Sequence, residues 1–250
     1  MTEDIRDAAA IILWRKGPRD SKQIYLQRRT SGASFMANAS VFPGGARDPN
    51  DSSLKYTAIR ELFEEAGILF INQTSTDDER AQARAELLGG GNFSEILNKA
   101  NWTICEKPLK EYSSWITPSV ESKRFKATFF IAELPQSQTP TVDDNEAVHQ
   151  EWLSPEECVD EACGLYLPPP QLLTLYQLNR EPARFESEEA PDPVILPRAL
   201  SEGTRPRTLL FPWDRNYSSG VGEAIPWTRP RPPWPSRVNA TATGWSLGGD

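Results

Sequence analysis

The run RELFEEAGI at residues 60–68 constrains the fold of this chain more than any other segment. On a helix that turns about 100° per residue, Glu61, Glu64 and Glu65 fall within roughly a third of the circumference. Apolar residues occupy the opposite side and can anchor the helix in a core. They are Ile59, Leu62, Phe63 and Ala66. The pattern predicts an amphipathic helix that carries three carboxylates on one face.

Three neighbouring carboxylates need a compensating cation, because like charges one turn apart on a helix repel each other. A hard divalent ion such as Mg²⁺ prefers oxygen ligands, keeps part of its water shell and often binds where a substrate phosphate completes the coordination. The shared face of Glu61, Glu64 and Glu65 therefore indicates metal binding and diphosphate chemistry.

Composition limits the classes of protein that fit. The 250 residues are enough for one sizeable domain with appendages, and a hydrophobic content of 38% supports a globular core. A formal net charge of -8 argues against general nucleic-acid binding, which needs a basic surface. It also means that a metal and local arginines, rather than the overall field, must attract an anionic substrate. The odd number of cysteines argues against a disulfide framework and favours a reducing compartment.

The ends of the chain carry few targeting features. No apolar run approaches the length of a membrane span, and the first residues, MTEDIRDAAA, do not form a basic signal segment. The last four residues, LGGD, differ from the SKL type of peroxisomal address. We therefore expect a cytoplasmic protein that does not bind membranes. The sequence does not define the oligomeric state, for which a dimer is one option.

Apolar runs and turn residues predict the order of the elements. Residues 7–14 and 23–28 are predicted to form a hairpin. The motif helix is predicted to begin at a cap among Asp51, Ser52 and Ser53, and to end at Gly67. Further strands are predicted at residues 40–42, 68–71, 113–118, 125–133 and 149–153. Further helices are predicted at residues 77–88 and 93–100, after Ser154, and from 167 to about 178.

Two segments lie outside this pattern. The predicted helices at 77–88 and 93–100 belong to an insertion at about residues 74–112, which is either a packing cover or a substrate lid. Residues 183–250 form an extension rich in Pro and Trp, in which 191–217 is expected to wrap on the domain and the part after about 220 to be irregular. The tail either binds a partner or is an unstructured extension.

The motif segment resembles the signature of the Nudix hydrolases, G-x5-E-x7-R-E-U-x-E-E-x-G-U, where U is aliphatic. The matching positions are Gly45, Arg60, Glu61, Leu62, Glu64, Glu65, Gly67 and Ile68. Asp51 replaces the upstream glutamate, and the spacing from Gly45 to Arg60 is one residue longer than in the pattern. The resemblance implies an α+β Nudix fold over residues 1–182, with a mixed central sheet sandwiched between helices.

Further segments resemble the peroxisomal coenzyme A diphosphatase branch of the Nudix enzymes. They are LQR at 26–28 with Gly32, Phe35 and Met36, VFPGG at 41–45, WITP at 115–118, RF at 124–125, FF at 129–130 and LPPPQ at 167–171. The insertion also lies where that branch has one. The stricter coenzyme A signature adds an arginine and a glycine before FPGG, and only Arg28 and Arg29 stand near that place here. The branch makes a peroxisomal location the alternative to the cytoplasm.

The resemblance also implies site residues. Mg²⁺ is the expected cofactor, with Mn²⁺ as the alternative, and its ligands are expected to be Glu61, Glu64, Glu65 and the Gly44 carbonyl. The catalytic candidates are Glu61, Glu64, Arg60 and Glu146, the last chosen from a polar acidic loop. Arg60 either orients the carboxylates through charge-assisted hydrogen bonds or forms a plain surface ion pair. The substrate-binding candidates are Arg28, Arg29, Gly45 and Phe42, and the alternative for the two arginines is an exposed strand end.

Three functions fit the sequence. The first is a Mg²⁺-dependent diphosphatase that cleaves coenzyme A or its thioesters to 3',5'-ADP and a 4'-phosphopantetheine product. The second keeps the chemistry but changes the small nucleotide-diphosphate substrate to ADP-ribose, a dinucleotide or a nucleotide sugar. The third is a Nudix-shaped binding module that has lost catalysis. The acidic triad argues against the third, whereas the altered loop before the motif helix keeps it open.

Overall fold

A seven-stranded mixed sheet forms the centre of the computed structural model, which describes residues 5–32, 36–141, 147–200 and 208–249. The strands are β1 (Arg6–Lys16), β2 (Lys22–Arg29), β3 (Ser40–Val41), β4 (Gly44–Ala46), β5 (Lys110–Ile116), β6 (Phe125–Glu133) and β7 (Ala147–Leu153). The order is β3-β2-β1-β6-β5, while β4 pairs with β1 and β7 with β2. β1 and β6 run parallel, and β1 and β2 form the predicted antiparallel hairpin.

The central position of β1 follows from its nearly continuous apolar sequence, which suits a strand that is buried on both faces. Because successive side chains point to opposite faces, Ile11 and Leu13 join one core, whereas Ile12 and Trp14 join the other. The sheet is therefore covered on both sides.

Five helices supply most of that cover. They are α1 (Leu54–Ala66), α2 (Asp77–Leu88), α3 (Phe93–Lys99), α4 (Pro155–Val159) and α5 (Pro169–Arg180). Apolar residues of α1, α2 and α3 pack in the core of Ile11, and those of α5 pack in the core of Ile12. The predicted class, a mixed sheet between helical layers, is thus confirmed. None of the helices in the described ranges is long and apolar enough to cross a membrane.

The C-terminal extension packs on the same side of the sheet as α5. Its strands β8 (Arg198–Ala199), β9 (Thr208–Leu210), β10 (Arg237–Ala240) and β11 (Trp245–Gly248) form a second sheet in the order β11-β10-β9-β8. The Ile195 amide donates to the Ser114 carbonyl at 2.8 Å, which joins the extension to β5. The ring centroids of Phe211 and Trp115 lie 5.7 Å apart, so the two sheets share one apolar core.

Two predicted elements differ from the structure. Residues 68–70 are buried and Ile71 is half-buried, but they do not form a strand, because the backbone N–H and C=O of Leu69 both bond to the side chain of Gln138, at 2.9 and 2.8 Å. The tail beyond residue 220 was predicted to be irregular, yet it contains β10 and β11. Val238 of β10 is fully buried, and its strand pairs with β9, a distant partner that the local sequence does not reveal.

Candidate functional site

The motif helix α1 is defined at both ends by its own sequence. Its N-cap is Ser53, whose hydroxyl accepts a hydrogen bond from the Tyr56 amide at 2.9 Å. Its C-cap is Gly67, which adopts the left-handed conformation with a φ of 69°. These caps fix the length of the helix and thereby the direction in which its three glutamates point.

Two of the three glutamates face the glycine pair of β4. A Cβ atom on Gly45 would lie 2.5 Å from Oε2 of Glu61, so a side chain at this position would displace this carboxylate. The Gly44 amide donates to Oε2 of Glu65 at 2.9 Å. The segment Phe-Pro-Gly-Gly therefore brings backbone, without side chains, against the acidic face of α1.

Gln27 of β2 completes the surroundings of Glu65. Its Nε2 donates a short hydrogen bond to Oε2 of Glu65, and both side chains are buried. Within the described ranges, Oε1 of Gln27 has no hydrogen-bond partner although the residue is only 4% exposed. An unsatisfied buried acceptor costs about 1–3 kcal/mol, so a donor is expected to bind there. Gln27 was not predicted as a site residue, and its only sequence signal is a polar residue on the inward face of a strand.

Arg60 connects the start of α1 to its acidic face. Its guanidinium lies 2.9 Å from Oδ2 of Asp51, 2.9 Å from Oε1 of Glu61 and 3.0 Å from Oε1 of Glu64. Burial alone would lower the pKa of Arg60. The hydrogen bond to Asp51 and the charges of the two glutamates outweigh burial and raise this pKa above its ordinary value. Arg60 is thus a permanent cation that offsets part of the repulsion on this face.

Asp51, which replaces the signature glutamate, contacts Arg60. Burial would raise the pKa of Asp51, but hydrogen bonds from Arg60, Thr57 and the Asp48 amide lower it below its ordinary value. The residue that replaces the signature glutamate holds Arg60 in place in this structure, and its carboxylate is ionised at neutral pH.

The structure separates the glutamates by environment. The Glu64 side chain is 27% exposed, compared with 14% for Glu61, and Glu65 is buried. Within the part of the chain that the structure describes, no three carboxylate, thiol or imidazole groups converge closely enough to form a ready metal site. The predicted catalytic residue Glu146 lies outside the described residues.

The donor types nevertheless fit a hard cation. Two carboxylates, from Glu61 and Glu65, approach a glycine backbone, and the unsatisfied Oε1 of Gln27 belongs to the amide that donates to Glu65. Oxygen donors of this kind suit Mg²⁺ or Mn²⁺, which keep several waters as additional ligands. A water in that shell would also supply the hydrogen-bond donor that Gln27 lacks.

The predicted substrate-binding residues lie in different environments. Arg28 is exposed at the end of β2, and Arg29 is half-buried with an Nε that has no hydrogen-bond partner among the residues that the structure describes. Phe42 is 2% exposed and packs edge-on against Phe129, with centroids 5.7 Å apart. The buried side chain of Phe42 offers no surface to a substrate, because the strand β3 delivers it into the core. Gly45 lies against Glu61, as described above.

A partly open cavity of about 190 Å³ lies between the motif helix and the insertion. Its lining includes Arg60 and Glu64 from α1. The other lining residues are Asp48, Asn50, Asp51, Tyr56, Leu87, Gly91, Asn92, Phe93 and Ser94. The insertion therefore borders the outer edge of the acidic face.

Comparison with known proteins identifies the family. A family model described as the NUDT19 Nudix domain matches residues 49–180 of this chain. The chain belongs to the NUDT19 Nudix family. The matched range contains the Nudix helix α1, the insertion and β5 to α5.

The curated relatives agree with this family. Nudix hydrolase 7 of Caenorhabditis elegans is 34% identical over 190 residues, which cover 72% of this chain and 62% of that protein. The acyl-coenzyme A diphosphatases NUDT19 of Xenopus laevis and Homo sapiens are 29% and 27% identical, over 58% and 61% of this chain. Those two matches cover 43% and 44% of the relatives, so the chain spans less than two thirds of their length.

A solved structure supports the fold. The Nudix hydrolase from Alicyclobacillus acidocaldarius superposes with a TM-score of 0.64 at 23% identity, over 74% of this chain and 97% of that one. The mixed sheet between helical layers is therefore the Nudix fold that the sequence predicted.

Proposed function

We propose that this Nudix family member is a hydrolase that cleaves the diphosphate of coenzyme A or acyl-coenzyme A. The products would be 3',5'-ADP and 4'-phosphopantetheine or its acyl derivative. The observation that carries the proposal is the placement of Glu61 against Gly45 and of Glu65 on the Gly44 amide. The choice of substrate is supported by the NUDT19 relatives, which are named acyl-coenzyme A diphosphatases.

The proposed metal ligands are Glu61, Glu64, Glu65 and the Gly44 carbonyl, with Mg²⁺ as the cofactor and Mn²⁺ as the alternative. A divalent cation bound there would neutralise diphosphate charge and favour ionisation of the attacking water. Arg60 holds Glu61 and Glu64 through charge-assisted hydrogen bonds, so both carboxylates are oriented before the substrate binds. Gln27 fixes the Glu65 carboxylate in the same way from β2.

Basic residues at the end of β2 would bind the substrate. Arg29 has a buried Nε without a partner in the described part of the chain, and a phosphate oxygen would satisfy that donor. Its planar guanidinium suits a phosphate better than a lysine would. The exposed Arg28 beside it remains a second candidate, and Glu146 remains the candidate for assisting the attacking water. The cytoplasmic location and the oligomeric state stay predictions.

The test offers the purified protein coenzyme A, acetyl-coenzyme A, ADP-ribose and NADH with Mg²⁺ and separates the products by chromatography. A parallel reaction with a chelator provides the metal-free control. The proposal predicts 3',5'-ADP from both coenzyme A substrates and little product from the others. Turnover of ADP-ribose without turnover of coenzyme A would contradict it and favour the alternative substrates. If nothing is cleaved while a ligand raises the melting temperature, the chain is a binding module.

A further inference from the structure

We propose that Arg84, on the inserted helix α2, is a positioning residue of the active site, because it fixes the C-terminal turn of the Nudix helix. This inference rests on the proposed function for its catalytic consequence. Its structural basis is a set of hydrogen bonds between the insertion and α1 that the sequence does not reveal.

The last four carbonyls of α1 have no partners within a regular helix, as at every helix C-terminus. In this structure each of them accepts a hydrogen bond. The Gly67 amide donates to the Phe63 carbonyl at 3.0 Å, and the Thr141 amide donates to the Ala66 carbonyl at 2.9 Å. The two carbonyls between them, those of Glu64 and Glu65, accept from Nε and Nη2 of Arg84, both at 2.9 Å.

These two carbonyls belong to the residues whose side chains are proposed to bind the metal. A shift of the Glu64 or Glu65 backbone would move the carboxylate of the same residue, which for Glu65 accepts from the Gly44 amide. Errors of about 1 Å in such positions can reduce turnover by roughly 10²-fold. Arg84 therefore acts on the proposed metal ligands Glu64 and Glu65 through their main-chain carbonyls.

A third hydrogen bond extends this contact to another segment. Nη1 of Arg84 donates to Oγ1 of Thr141 at 2.7 Å. Gly67 permits the close approach, since a Cβ on this residue would lie 2.9 Å from Thr141 Oγ1 and 3.4 Å from Arg84 Nη1. One guanidinium thus connects α1 and α2 to Thr141, which lies between β6 and β7.

Arg84 is buried, which makes the loss of its hydrogen bonds costly. The residue is only 7% exposed, so its hydrogen bonds are poorly replaced by water. A cation at the C-terminus of a helix also interacts favourably with the helix dipole. Two functions were open for the insertion, a packing cover and a substrate lid. These contacts assign it a third role, in which it holds the catalytic helix.

The chain offers a matched control in Arg80. This residue lies one turn earlier on α2 and is also 7% exposed. Its hydrogen bonds go to the carbonyl and hydroxyl of Ser75 and to Asp77, within its own segment. Replacing Arg80 removes an equally buried guanidinium from the same helix, and none of these three hydrogen bonds reaches the Nudix helix.

The experiment compares Arg84→Met, Arg84→Lys, Thr141→Val and Arg80→Met. The readouts are the Mn²⁺ dissociation constant by electron paramagnetic resonance, and kcat and KM for coenzyme A at saturating Mg²⁺. Arg84→Met should weaken Mn²⁺ binding by about 10–100-fold and lower kcat with little change in KM. Lysine should restore part of the loss, and Thr141→Val should have a smaller effect in the same direction. Arg80→Met should leave the dissociation constant and kcat unchanged, even if it lowers the melting temperature.

Wild-type Mn²⁺ affinity and kcat in folded Arg84→Met would overturn the proposal, and so would equal losses in Arg80→Met. If Arg84→Met does not fold, unchanged values in both Arg84→Lys and Thr141→Val would overturn it. A wild-type protein that binds Mn²⁺ but does not cleave coenzyme A would disprove only the substrate, and the Mn²⁺ constants would still test Arg84. If the wild type does not bind Mn²⁺ either, the proposed function fails. In that case the hydrogen-exchange rate of the Gly67 amide tests Arg84. Equal rates in the wild type and in Arg84→Lys would overturn the role of Arg84.

Discussion

Nη2 of Arg60 lies 2.9 Å from Oδ2 of Asp51, across the loop that precedes the Nudix helix. The same guanidinium contacts Glu61 and Glu64, so one arginine ties the lengthened loop to two proposed metal ligands. Asp51, which replaces the glutamate of the family signature, thus acts on the site through Arg60. The altered loop is compatible with an intact acidic face.

This relationship predicts coupling between the two residues. Arg60→Lys and Asp51→Asn should each lower coenzyme A turnover by about 10–100-fold, because both disturb the orientation of the same carboxylates. The double variant should be less impaired than the product of the two effects, since residues in one network are coupled by about 0.5–3 kcal/mol. Steady-state kinetics of the four proteins provides the test. Strictly multiplicative losses would show that Asp51 and Arg60 act independently.

Gly45→Ala tests the close approach of β4 to α1. The new Cβ would lie 2.5 Å from Oε2 of Glu61 and should displace this carboxylate. We expect turnover to fall by about 10²-fold while the melting temperature changes little. Gly32→Ala is the matched control, because a Cβ there meets no atom within 4 Å. Equal activities of the two variants would show that Glu61 has no part in the site.

Gln27→Leu tests the support of Glu65 from β2. The substitution removes the donor that holds the Glu65 carboxylate and should weaken Mn²⁺ binding by about 10–100-fold. Titration with Mn²⁺ measures the effect. Gln23→Leu, on the same strand but bonded to Arg15 and to the Trp152 carbonyl, should bind Mn²⁺ as the wild type does. Unchanged affinity in both variants would show that Gln27 has no part in the site.

Particular residues show what the sequence could predict. β1, α1 and the Gly67 cap were predicted because their signals are local: an apolar run, a helical period and a glycine at a helix end. Gln27 and Arg84 were missed, since their partners lie 38 and about 20 residues away and a polar residue in a strand or helix does not indicate its partner. The strands β10 and β11 were missed for the same reason.

Asp214 should make the extension sensitive to acid. Its carboxylate accepts hydrogen bonds from Ser236 at 2.6 Å and from Arg237 at 2.8 Å. Burial would raise the pKa of Asp214, but these bonds and the Asn216 amide lower it below its ordinary value. A depressed folded-state pKa adds stability above the unfolded pKa of about 4, and this stability is lost as the pH falls through the folded value.

Asp214→Asn should therefore lower the free energy of unfolding at pH 7 by about 1.5–3 kcal/mol, and the difference from the wild type should shrink below pH 4. Urea denaturation at pH 7 and pH 3 measures both values. Asp78→Asn, at an exposed position of α2, is the control and should change little. A difference that grows on acidification would mean that the sign of the pKa shift is wrong.

The acidic face of the Nudix helix is proposed to perform the hydrolysis. The most direct measurement is coenzyme A cleavage at saturating Mg²⁺ by the wild type and by Glu64→Gln. Glu86→Gln, which loses the same charge at an exposed ion pair with Lys99, serves as the control. This role of the acidic face predicts that wild type and Glu86→Gln release 3',5'-ADP at similar rates, and that Glu64→Gln retains its fold but loses about 10²–10⁴-fold in rate. Wild-type activity in folded Glu64→Gln would contradict it.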